Sequence, residues 1–294
     1  MPNVATTPSR DITVRHVDFR RADQACPPKY FVAGDPLHSH LLALGSAVFP
    51  EGEDFFVRSV RAQRDKVTDP ELAKQVKAFI AQESLHGREH RGLNADLAAL
   101  GFPIRRLDRR TRVGLKMVER FASPKVRLAI TAAQEHYTAT LAEVLMANVD
   151  TLDFRDERIR DVFLWHAVEE TEHKAVAFDV YQAVFGDERT RIRVMRIMTA
   201  QFLLGASISV LVNLLADPDA RHPRTLMSCL RRFRQSPFFA SSVSTRLRAY
   251  NHPDFHPDNH DSSELLARTW SRLFPGEDHA ETRTTSDMSG SSSF

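Results

Sequence analysis

Two histidines and a glutamate recur at helical spacing in the segment "HAVEETEHKAVAFDVY", which begins at His166. At about 100° per residue, His166, Glu170 and His173 fall at roughly 0°, 40° and 340° around a helix, so they share one narrow face. Apolar side chains border this face, which predicts that it points into a protein interior. A bare carboxylate is costly to bury there, and a bound metal ion would supply the compensating charge. The pattern therefore predicts a metal site.

A second segment, "AFIAQESLHGREH", places Glu83 and His86 in the same Glu-x-x-His spacing. A carboxylate site for two metal ions in a helical bundle takes one further glutamate from each of two other helices. The run "FPEGEDFF" supplies Glu53, and the run "TAAQEHYTA" supplies Glu135. The chain thus holds two successive pairs, each a helix with a glutamate followed by a helix with Glu-x-x-His. This arrangement predicts a dinuclear site.

Several neighbouring residues leave alternatives open. Glu51 is the rival of Glu53, and the one that is not a ligand is expected on the surface. His90 lies one turn after His86 and is either a third ligand of that helix or a group that supports the ligands. His136 points about 100° away from the glutamate before it, so we expect it to line another face. Candidates for orienting the ligand histidines by hydrogen bonds, with packing or surface roles as the alternative, are Glu169, Glu172, Tyr137, Asp179 and Tyr181.

The helices that must position these residues can be traced from periodicity. Only 11 glycines occur among 294 residues, and no window shows sustained two-residue alternation, so the chain is predicted to be all-α. One helix is expected over about 36–67, kinked or split at Pro50. The next begins at an Asp69 cap with Pro70 in its first turn and ends at Gly101. After a basic linker, further helices are expected over about 113–149, with a break near Pro124 left open, and over about 156–185 and 190–216.

These segments predict four regions along the chain. Residues 1–35 read as an N-terminal arm, and 36–216 as the helical bundle that holds the two metal ions. Residues 217–275 are expected to form a basic helical and loop extension that packs on the bundle. Within this extension, "NHPDFHPDNHD" spaces three histidines every four residues, but its prolines favour a docking loop over a second metal site. Residues 276–294 have the composition of a disordered tail.

Composition limits the partners and the cellular setting. Lys plus Arg number 40 and Asp plus Glu number 38, so no overall field attracts nucleic acid. Two cysteines, Cys26 and Cys229, cannot build a disulfide framework or a thiolate metal site, which favours a reduced, cytoplasmic setting. The N-terminal segment shows no apolar signal region. No glycine-rich nucleotide motif occurs, so an oxidase would need electrons from a partner or from its substrate. A homodimer remains open.

The stretch "TAQFLLGASISVLVNLLA", residues 199–216, has 18 residues without a charge, which is the threshold length for a membrane span. Because it includes Gln201, Ser209 and Asn213, a helix that covers the bundle is the preferred interpretation, and membrane contact is the alternative. From Arg221 to Arg248 there are seven arginines and no acidic residue, which would suit anionic lipid headgroups. Contact with lipid would favour an apolar or lipid-like small-molecule substrate.

A resemblance to a known family rests on the runs "FPEGEDFF", "QESLHGREH", "QEHYTA", "WHAVEETEHKAVAFDVY" and "YNHPDFHP". They resemble a bacterial family catalogued as predicted metal-dependent hydrolases and placed among ferritin-like bundles, over about residues 30–270. The H-x-x-x-E-x-x-H run of His166, Glu170 and His173 is also similar to the last helix of the di-iron arylamine N-oxygenases. In those enzymes a third histidine joins four carboxylates and two histidines.

The resemblance implies a ferritin-like four-helix bundle with extra C-terminal helices. It also implies a seven-ligand set composed of Glu53, Glu83, His86, Glu135, His166, Glu170 and His173. Outside the ligand helices we see no convincing similarity to the N-oxygenases, so their substrate does not carry over to this chain.

The donor types indicate which metals and reactions to expect. Carboxylates and imidazoles without a thiolate favour iron or manganese and leave zinc open, and we expect two iron ions. The preferred function is the activation of O2 to oxidise a small or apolar organic substrate, because seven protein ligands leave few positions for substrate and water together. The alternatives are two-metal hydrolysis, in which the ions lower the pKa of bound water, and a non-catalytic storage or structural site.

Overall fold

The computed structural model describes residues 7–8, 10, 12–17, 19 and 26–275, so the expected disordered tail at 276–294 lies outside the described residues. Within them the chain is all-α, as predicted, and a single isolated bridge between Val32 and Phe154 is the one strand-like pairing. The helices are α1 (Pro36–Arg61), α2 (Pro70–Ala99), α3 (Ile104–Phe121), α4 (Pro124–Ala147), α5 (Val149–Leu152), α6 (Glu157–His173), α7 (Val176–Val184), α8 (Glu188–Ala216), α9 (Pro223–Gln235), α10 (Ser241–Ala249) and α11 (Ser263–Leu273). Short 3-10 turns occupy Arg64–Lys66, Pro237–Phe239 and Pro257–Asn259.

Four helices, α1, α2, α4 and α6, carry the predicted ligands and pack against one another. Their apolar residues form two separate buried clusters. On α1, Ala47 belongs to one cluster and Phe55 to the other, with Glu53 between them in sequence. On α2, Leu93 and Phe79 belong to the two clusters and flank the Glu-x-x-His pair in the same way. The polar site therefore lies between two apolar layers. The ferritin-like assignment stays a prediction.

The ends of α2 follow the local chemistry that the sequence predicted. Asp69 accepts hydrogen bonds from the backbone N–H groups of Glu71 at 2.8 Å and Leu72 at 3.3 Å, and Pro70 occupies the first helical position. The cap satisfies N–H groups that have no partner inside the helix. Gly101 follows the last turn with a φ of +93°, a conformation that glycine adopts without strain. Both boundaries are confirmed.

Pro50 lies inside α1, and the helix continues through it. Proline has no N–H, so the carbonyl of Ser46, four residues earlier, lacks its helical donor. The side-chain amide of Asn94 on α2 replaces that donor, with its Nδ2 2.9 Å from the Ser46 carbonyl oxygen. The expected split of this helix is therefore wrong, because a hydrogen bond from a neighbouring helix satisfies the carbonyl that proline leaves free.

Two other expected boundaries are also wrong. Residues 104–112, expected in a linker, belong to α3, whose buried side chains are Ile104 and Leu107. So narrow an apolar stripe gives a weak periodic signal. The helix expected over 156–185 is interrupted by a turn at 174–175. Neither glycine nor proline marks the turn; there the Nζ of Lys174 donates to the His260 carbonyl oxygen at 2.7 Å, a contact between distant segments that periodicity cannot predict.

The remaining elements lie around these four helices. α8 packs on α4 and α1, α10 packs on α4, and α11 packs on α6 and α4. The described residues of the arm lack helical structure, and Arg10 reaches Asp179 of α7 at 2.7 Å and Gln75 of α2 at 2.8 Å. The arm thus crosses the outside of the helices that hold the site. The division of the chain into four regions stays a prediction.

Candidate metal centre

Four carboxylates and three imidazoles converge between α1, α2, α4 and α6. Each of these side chains belongs to a residue that is 3% exposed or less. Their donor atoms form three overlapping groups of three, and within each group the atoms lie within 4.8 Å of one another. The seven residues that the structure brings together are Glu53, Glu83, His86, Glu135, His166, Glu170 and His173. Their role as metal ligands stays a prediction.

Glu170 and Glu83 lie in the middle of this cluster. The Oε1 atom of Glu170 is 2.9 Å from His166 Nε2, 3.5 Å from His173 Nε2 and 3.6 Å from His86 Nδ1. The Oε1 atom of Glu83 is 3.1 Å from His173 Nε2 and 3.6 Å from His86 Nδ1. Each of these carboxylates therefore contacts histidines from two helices and links the two ends of the cluster.

Glu53 and Glu135 lie at opposite ends of the cluster. The Oε1 atom of Glu53 is 3.6 Å from His166 Nε2, and the Oε2 atom of Glu135 is 3.4 Å from His173 Nε2. Glu53 shares one group of donors with two histidines, and Glu135 shares another with His173 and a central carboxylate. The cluster thus has two ends joined by two central carboxylates, and its donor groups could hold metal ions.

The cluster leaves buried polar atoms without hydrogen-bond partners. They are both carboxylate oxygens of Glu53, Glu83 and Glu135, the Oε2 atom of Glu170, the Nδ1 atom of His86 and the Nε2 atom of His173. Buried polar atoms are almost always hydrogen-bonded in folded proteins, and a group of exceptions calls for an ion or another partner. Oxygen and imidazole nitrogen donors suit iron, manganese or zinc. The residues present therefore fit a metal centre.

A carboxylate outside the cluster orients His86. Its Nε2 atom lies 3.0 Å from the Oε2 atom of Glu169, and the other oxygen of Glu169 accepts the indole N–H of Trp165 at 3.0 Å. An ionised carboxylate only accepts hydrogen bonds, so the imidazole proton is on Nε2. The Nδ1 lone pair of His86 is left facing the central carboxylates. Such an outer hydrogen bond fixes the tautomer and ring orientation of a metal-binding histidine.

An amide orients His173 in the same way. The Nε2 atom of Gln82 donates to the backbone oxygen of Thr13 at 2.9 Å and to Glu172 at 3.0 Å. Its Oε1 atom is therefore the acceptor for the Nδ1–H of His173, at 2.9 Å, and the Nε2 lone pair of His173 points into the cluster. Arg15 of the arm pairs with Glu172 at 2.7 Å. The N-terminal arm thus supports this histidine from outside the bundle.

A chain of three residues sets the tautomer of His166. Ser46 Oγ donates to Asn94 Oδ1 at 2.8 Å, so Ser46 must accept the Nδ1–H of His90, which lies 2.9 Å away. The Nε2 atom of His90 then accepts the Nδ1–H of His166 at 2.6 Å. This places the Nε2 atom of His166 towards the carboxylates, 2.9 Å from the Oε1 atom of Glu170. His90 therefore lies behind His166 as a hydrogen-bonding neighbour.

Burial and nearby negative charges raise the pKa values of the two carboxyl groups at the ends of the cluster. Burial, reinforced by the charge of Glu83, raises the pKa of Glu53 well above its usual value. Burial, together with the charges of Glu170 and Glu83, raises the pKa of Glu135 to about 8. Desolvation disfavours an ionised carboxylate, and a neighbouring negative charge does the same. Without cations, the carboxyl group of Glu135 holds a proton at neutral pH.

Nearby carboxylates raise the pKa values of two of the histidines, His86 and His173. Burial opposes the charge of His86, but its hydrogen bond to Glu169 and its contacts with the central carboxylates raise its pKa well above the usual value. Burial likewise opposes the charge of His173, but its close contacts with Glu135, Glu170 and Glu83 raise its pKa well above the usual value. Protons thus occupy imidazole nitrogens whose lone pairs a metal ion would use.

Three further candidates lie away from the cluster. Glu51 pairs with Arg112 at 2.9 Å at the edge of the bundle, so Glu53 is the buried member of the two. His136 donates from Nε2 to a backbone carbonyl of α10 at 3.0 Å, which places it on another face, as the sequence suggested. The ring of Tyr137 packs on Phe202 at 4.8 Å between centroids.

Two residues proposed to orient ligand histidines have other partners. Asp179 accepts hydrogen bonds from Arg10 at 2.7 Å and from His256 Nε2 at 2.8 Å. The hydroxyl of Tyr181 donates to the backbone oxygen of Asp187 at 2.8 Å. Both side chains lie on α7, beyond the turn that follows His173. That turn directs both side chains away from the cluster. The prediction of one continuous helix over 156–185 did not include the turn.

The loop that contains His252, His256 and His260 packs against the bundle. His260 Nε2 lies 3.0 Å from a carboxylate oxygen of Glu143 on α4, and all three histidines line a cavity of about 440 Å³. The donor groups that could hold a metal ion within the described residues do not include this loop. These contacts support the docking interpretation over a second metal site.

Sequence reasoning missed the supporting residues Gln82, Ser46, Asn94 and Arg15. None of them has the spacing of a metal ligand. All four make their supporting contacts between different helices or with the arm. Ser46 carries the one available signal, because it lies four residues before Pro50 and its carbonyl must find a donor elsewhere.

One comparison with known proteins gives a match. A family model described as "Predicted metal-dependent hydrolase" matches residues 13–261. That range contains all seven cluster residues and the supporting Arg15. Neither a curated protein nor a solved structure matches the chain.

Proposed function

The chain belongs to the family of predicted metal-dependent hydrolases, and we propose that its buried Glu/His cluster binds two metal ions. We further propose that these ions are iron and that the protein activates O2 to oxidise a small or apolar organic substrate. Glu53, His166 and His86 would hold one ion, Glu135 and His173 the other, and Glu83 and Glu170 would lie between them.

One observation carries the proposal: the carboxylates of four helices converge with oxygen atoms that have no hydrogen-bond partner. A protein that needed these groups only for stability would pair them, because an unpaired buried charge destabilises the fold by several kcal/mol. Here they face ring nitrogens of three histidines, and each ring is oriented by a different supporting residue. This is a preorganised donor set rather than an ordinary buried salt bridge.

When bound, two iron ions would supply the electrons that reduce O2 and the oxidising equivalent that acts on the substrate. The protein's own residues set the conditions. The imidazoles of His86, His166 and His173 present lone pairs because their other nitrogens are hydrogen-bonded. The rings of Trp165, Phe49 and Phe79 pack beside these three imidazoles at centroid distances of 4.9, 4.6 and 5.0 Å. These rings exclude bulk water from the cluster.

Hydrolysis is the second candidate, and the family description favours it. Two bridged ions can lower the pKa of water and clamp an ester or phosphate oxygen. Against this, seven protein donors leave few coordination positions for both a water and a substrate oxygen. Oxidation needs only O2 at the ions with the substrate nearby, and so the enclosed donor set favours it.

The test begins with anaerobic loading of the protein with Fe(II), followed by measurement of metal content per chain. We expect two ions, and consumption of O2 by the reduced protein. Hydrolysis of p-nitrophenyl esters by the zinc or manganese form, with an iron form inert to O2, would replace oxidation with hydrolysis. Uptake of iron well beyond two ions per chain would indicate storage.

A matched pair of variants ties the result to the cluster. Glu53→Ala removes a buried donor, whereas Glu51→Ala removes a carboxylate two residues away that pairs with a surface arginine. We expect Glu53→Ala to lose one ion and O2 consumption, and Glu51→Ala to retain both. Equal behaviour of the two variants would contradict the assignment of the ligand on α1.

A further inference from the structure

Helix α8 is long and apolar enough to cross a membrane by length and composition, yet only 28% of its most apolar window is buried in the protein. It packs on the bundle near both of its ends. Met195 lies in the apolar cluster that contains α4 residues, and Leu214 packs with Leu37 of α1. A helix held along the bundle in this way cannot be surrounded by lipid, so α8 presents one free face.

That face is mostly apolar, with Gln201 and Ser207 as its exposed polar residues. Seven large aliphatic side chains are between 43% and 64% exposed: Ile197, Leu203, Leu204, Ile208, Leu211, Val212 and Leu215. The polar side chains of Ser209 and Asn213 are buried on the opposite face. At 1.5 Å per residue, the apolar stripe is about 27 Å long. Soluble monomers rarely expose a continuous apolar surface of this kind, and such surfaces mark interaction sites.

Positive charge surrounds the stripe. Helix α9 packs on α1, and its Cys229 belongs to the apolar cluster that contains Val210 and Leu214 of α8. It exposes Met227 and Leu230 together with several arginines. No acidic residue occurs from 221 to 248. Arg106 of α3 donates to Asn213 at 2.6 Å, which places a further basic helix beside α8. The exposed arginines at the two ends of the stripe are Arg193, Arg196, Arg221, Arg224, Arg231, Arg232 and Arg234.

We propose that the face formed by α8 and α9 docks the protein on an anionic lipid bilayer. Helix α8 lies in the plane of the membrane, with its aliphatic side chains among the acyl chains. The arginines of α9 lie at the phosphate groups of the lipids. This combination of an apolar stripe with cationic flanks is what interfacial helices use, and both parts contribute to binding.

Charge decides between a bilayer and a second copy of the chain. A twofold dimer places the same patch against itself. The cationic flanks of α8 would then face like charges across the interface, whereas an anionic bilayer neutralises them. The surface is independent of the metal chemistry, because it lies on helices that contribute none of the seven cluster residues.

The test is flotation of the full-length protein with vesicles of phosphatidylglycerol and phosphatidylcholine, compared with vesicles of phosphatidylcholine alone. We expect co-flotation with the anionic vesicles that weakens as salt increases. Replacing Leu204, Ile208 and Leu211 together by Gln should lower partitioning by at least about tenfold, because each loses several buried CH2 groups. Thermal unfolding and metal content of this variant should match those of the parent.

A charge-matched pair separates the α9 arginines from overall charge. Arg224→Gln with Arg231→Gln should weaken binding to anionic vesicles several-fold and flatten its salt dependence. Lys74→Gln with Lys77→Gln, which removes two exposed charges from α2, should leave both unchanged. Absence of binding to anionic vesicles would overturn the proposal, as would equal loss in the two pairs. A dimer in sedimentation that the triple Gln variant dissociates, without vesicle binding, would identify a second copy as the occupant instead.

Discussion

The interior between α1, α2, α4 and α6 and the outer face of α8 both reverse the usual distribution of polarity. The interior holds four carboxylates that are almost fully buried, whereas the outer face leaves Leu204 64% exposed. Each region therefore calls for a partner that the chain does not supply. The two regions also differ in composition: the buried histidines are oriented by hydrogen bonds that Gln82, Glu169 and His90 accept, whereas the exposed face of α8 consists mostly of aliphatic side chains.

That difference shows what each region can recognise. Fixed lone pairs within a few ångströms of one another select a small cation by charge and geometry. An apolar stripe about 27 Å long selects an extended phase, because burial of apolar area is non-directional. Single substitutions can therefore test metal binding in the interior. Lipid binding by the outer face is tested by changing several side chains together.

The largest expected effect comes from the central carboxylate. Glu170→Gln keeps the side-chain volume but removes the charge that contacts all three histidines, so both ions should weaken. We expect metal content to fall from two ions per chain to one or fewer under conditions that saturate the parent. Glu157→Gln, at an exposed position of the same helix, is the control and should retain two. Retention of both ions by Glu170→Gln would show that Glu170 only packs beside the site.

Acidification should produce the next largest effect, and only in the interior. Glu135, whose pKa is raised to about 8, is protonated at neutral pH in the metal-free protein, as are His86 and His173, whose pKa values are raised well above normal. A metal ion must displace these protons. Apparent metal affinity should therefore rise with pH through about 8, where Glu135 loses its proton, and fall about tenfold per pH unit below that value for each proton displaced.

Calorimetry in buffers of different ionisation enthalpy measures that proton release directly. Vesicle binding through arginines should stay constant over the same pH range, since guanidinium groups remain charged. Metal binding without proton release would contradict the raised pKa values of the cluster. Vesicle binding that followed the same pH curve would remove the distinction between the two regions.

Local spacing predicted the two Glu-x-x-His pairs of the cluster, whereas the complete set of seven residues was implied by the family resemblance. Glu83 and His86 lie on one turn, and so do Glu170 and His173, so helical periodicity alone places each pair on one face. The supporting contacts could not be predicted in this way. Gln82 is oriented by the arm, and Ser46 is linked to Asn94 of another helix, so both depend on how distant segments pack.

The same reasoning explains which parts of the fold were missed. α3 buries only Ile104 and Leu107, and its charged sequence resembles a linker. The turn after His173 carries no glycine or proline and depends on contacts with the loop near His260. The apolar stretch of α8 was visible in the sequence, but its exposed and buried faces became distinct only once its packing on α1 and α4 was known.

The role of His166 can be separated from ordinary core packing. As a ligand, His166→Ala should weaken one ion, so metal content falls towards one per chain while the protein remains folded. As a packing residue it would cost about 1–3 kcal/mol of stability and leave two ions bound. Metal analysis alongside thermal unfolding distinguishes these outcomes. His173→Ala is the positive control, and full retention of metal in His166→Ala alone would show that His166 is not a ligand.

A smaller effect is expected one step further out, at His90. This residue accepts the Nδ1–H of His166, so its loss should leave His166 present but less well oriented. We expect His90→Leu to lower the affinity for one ion by about 10- to 100-fold, with two ions still bound at saturation. His90→Gln, which retains an acceptor, should recover part of the loss. Equal metal affinities in the parent protein and both variants would show that the hydrogen bonds linking Ser46, His90 and His166 do not influence the site.

The smallest expected effect, on stability, belongs to the outer face of α8. Ile208 is 55% exposed and Leu214 is 5% exposed on the same helix. In the isolated protein, Ile208→Ala should change the free energy of unfolding by less than about 0.5 kcal/mol, because the side chain already contacts water. Leu214→Ala should cost about 2–5 kcal/mol through lost packing and a cavity. Urea unfolding at low protein concentration measures both. Similar losses of unfolding free energy in the two variants would mean that Ile208 is buried even in the isolated protein. Because lipid is absent from that measurement, it would be buried against another copy of the chain. A loss of stability in Leu214→Ala alone would instead show that the apolar stripe of α8 is exposed and free to contact a bilayer.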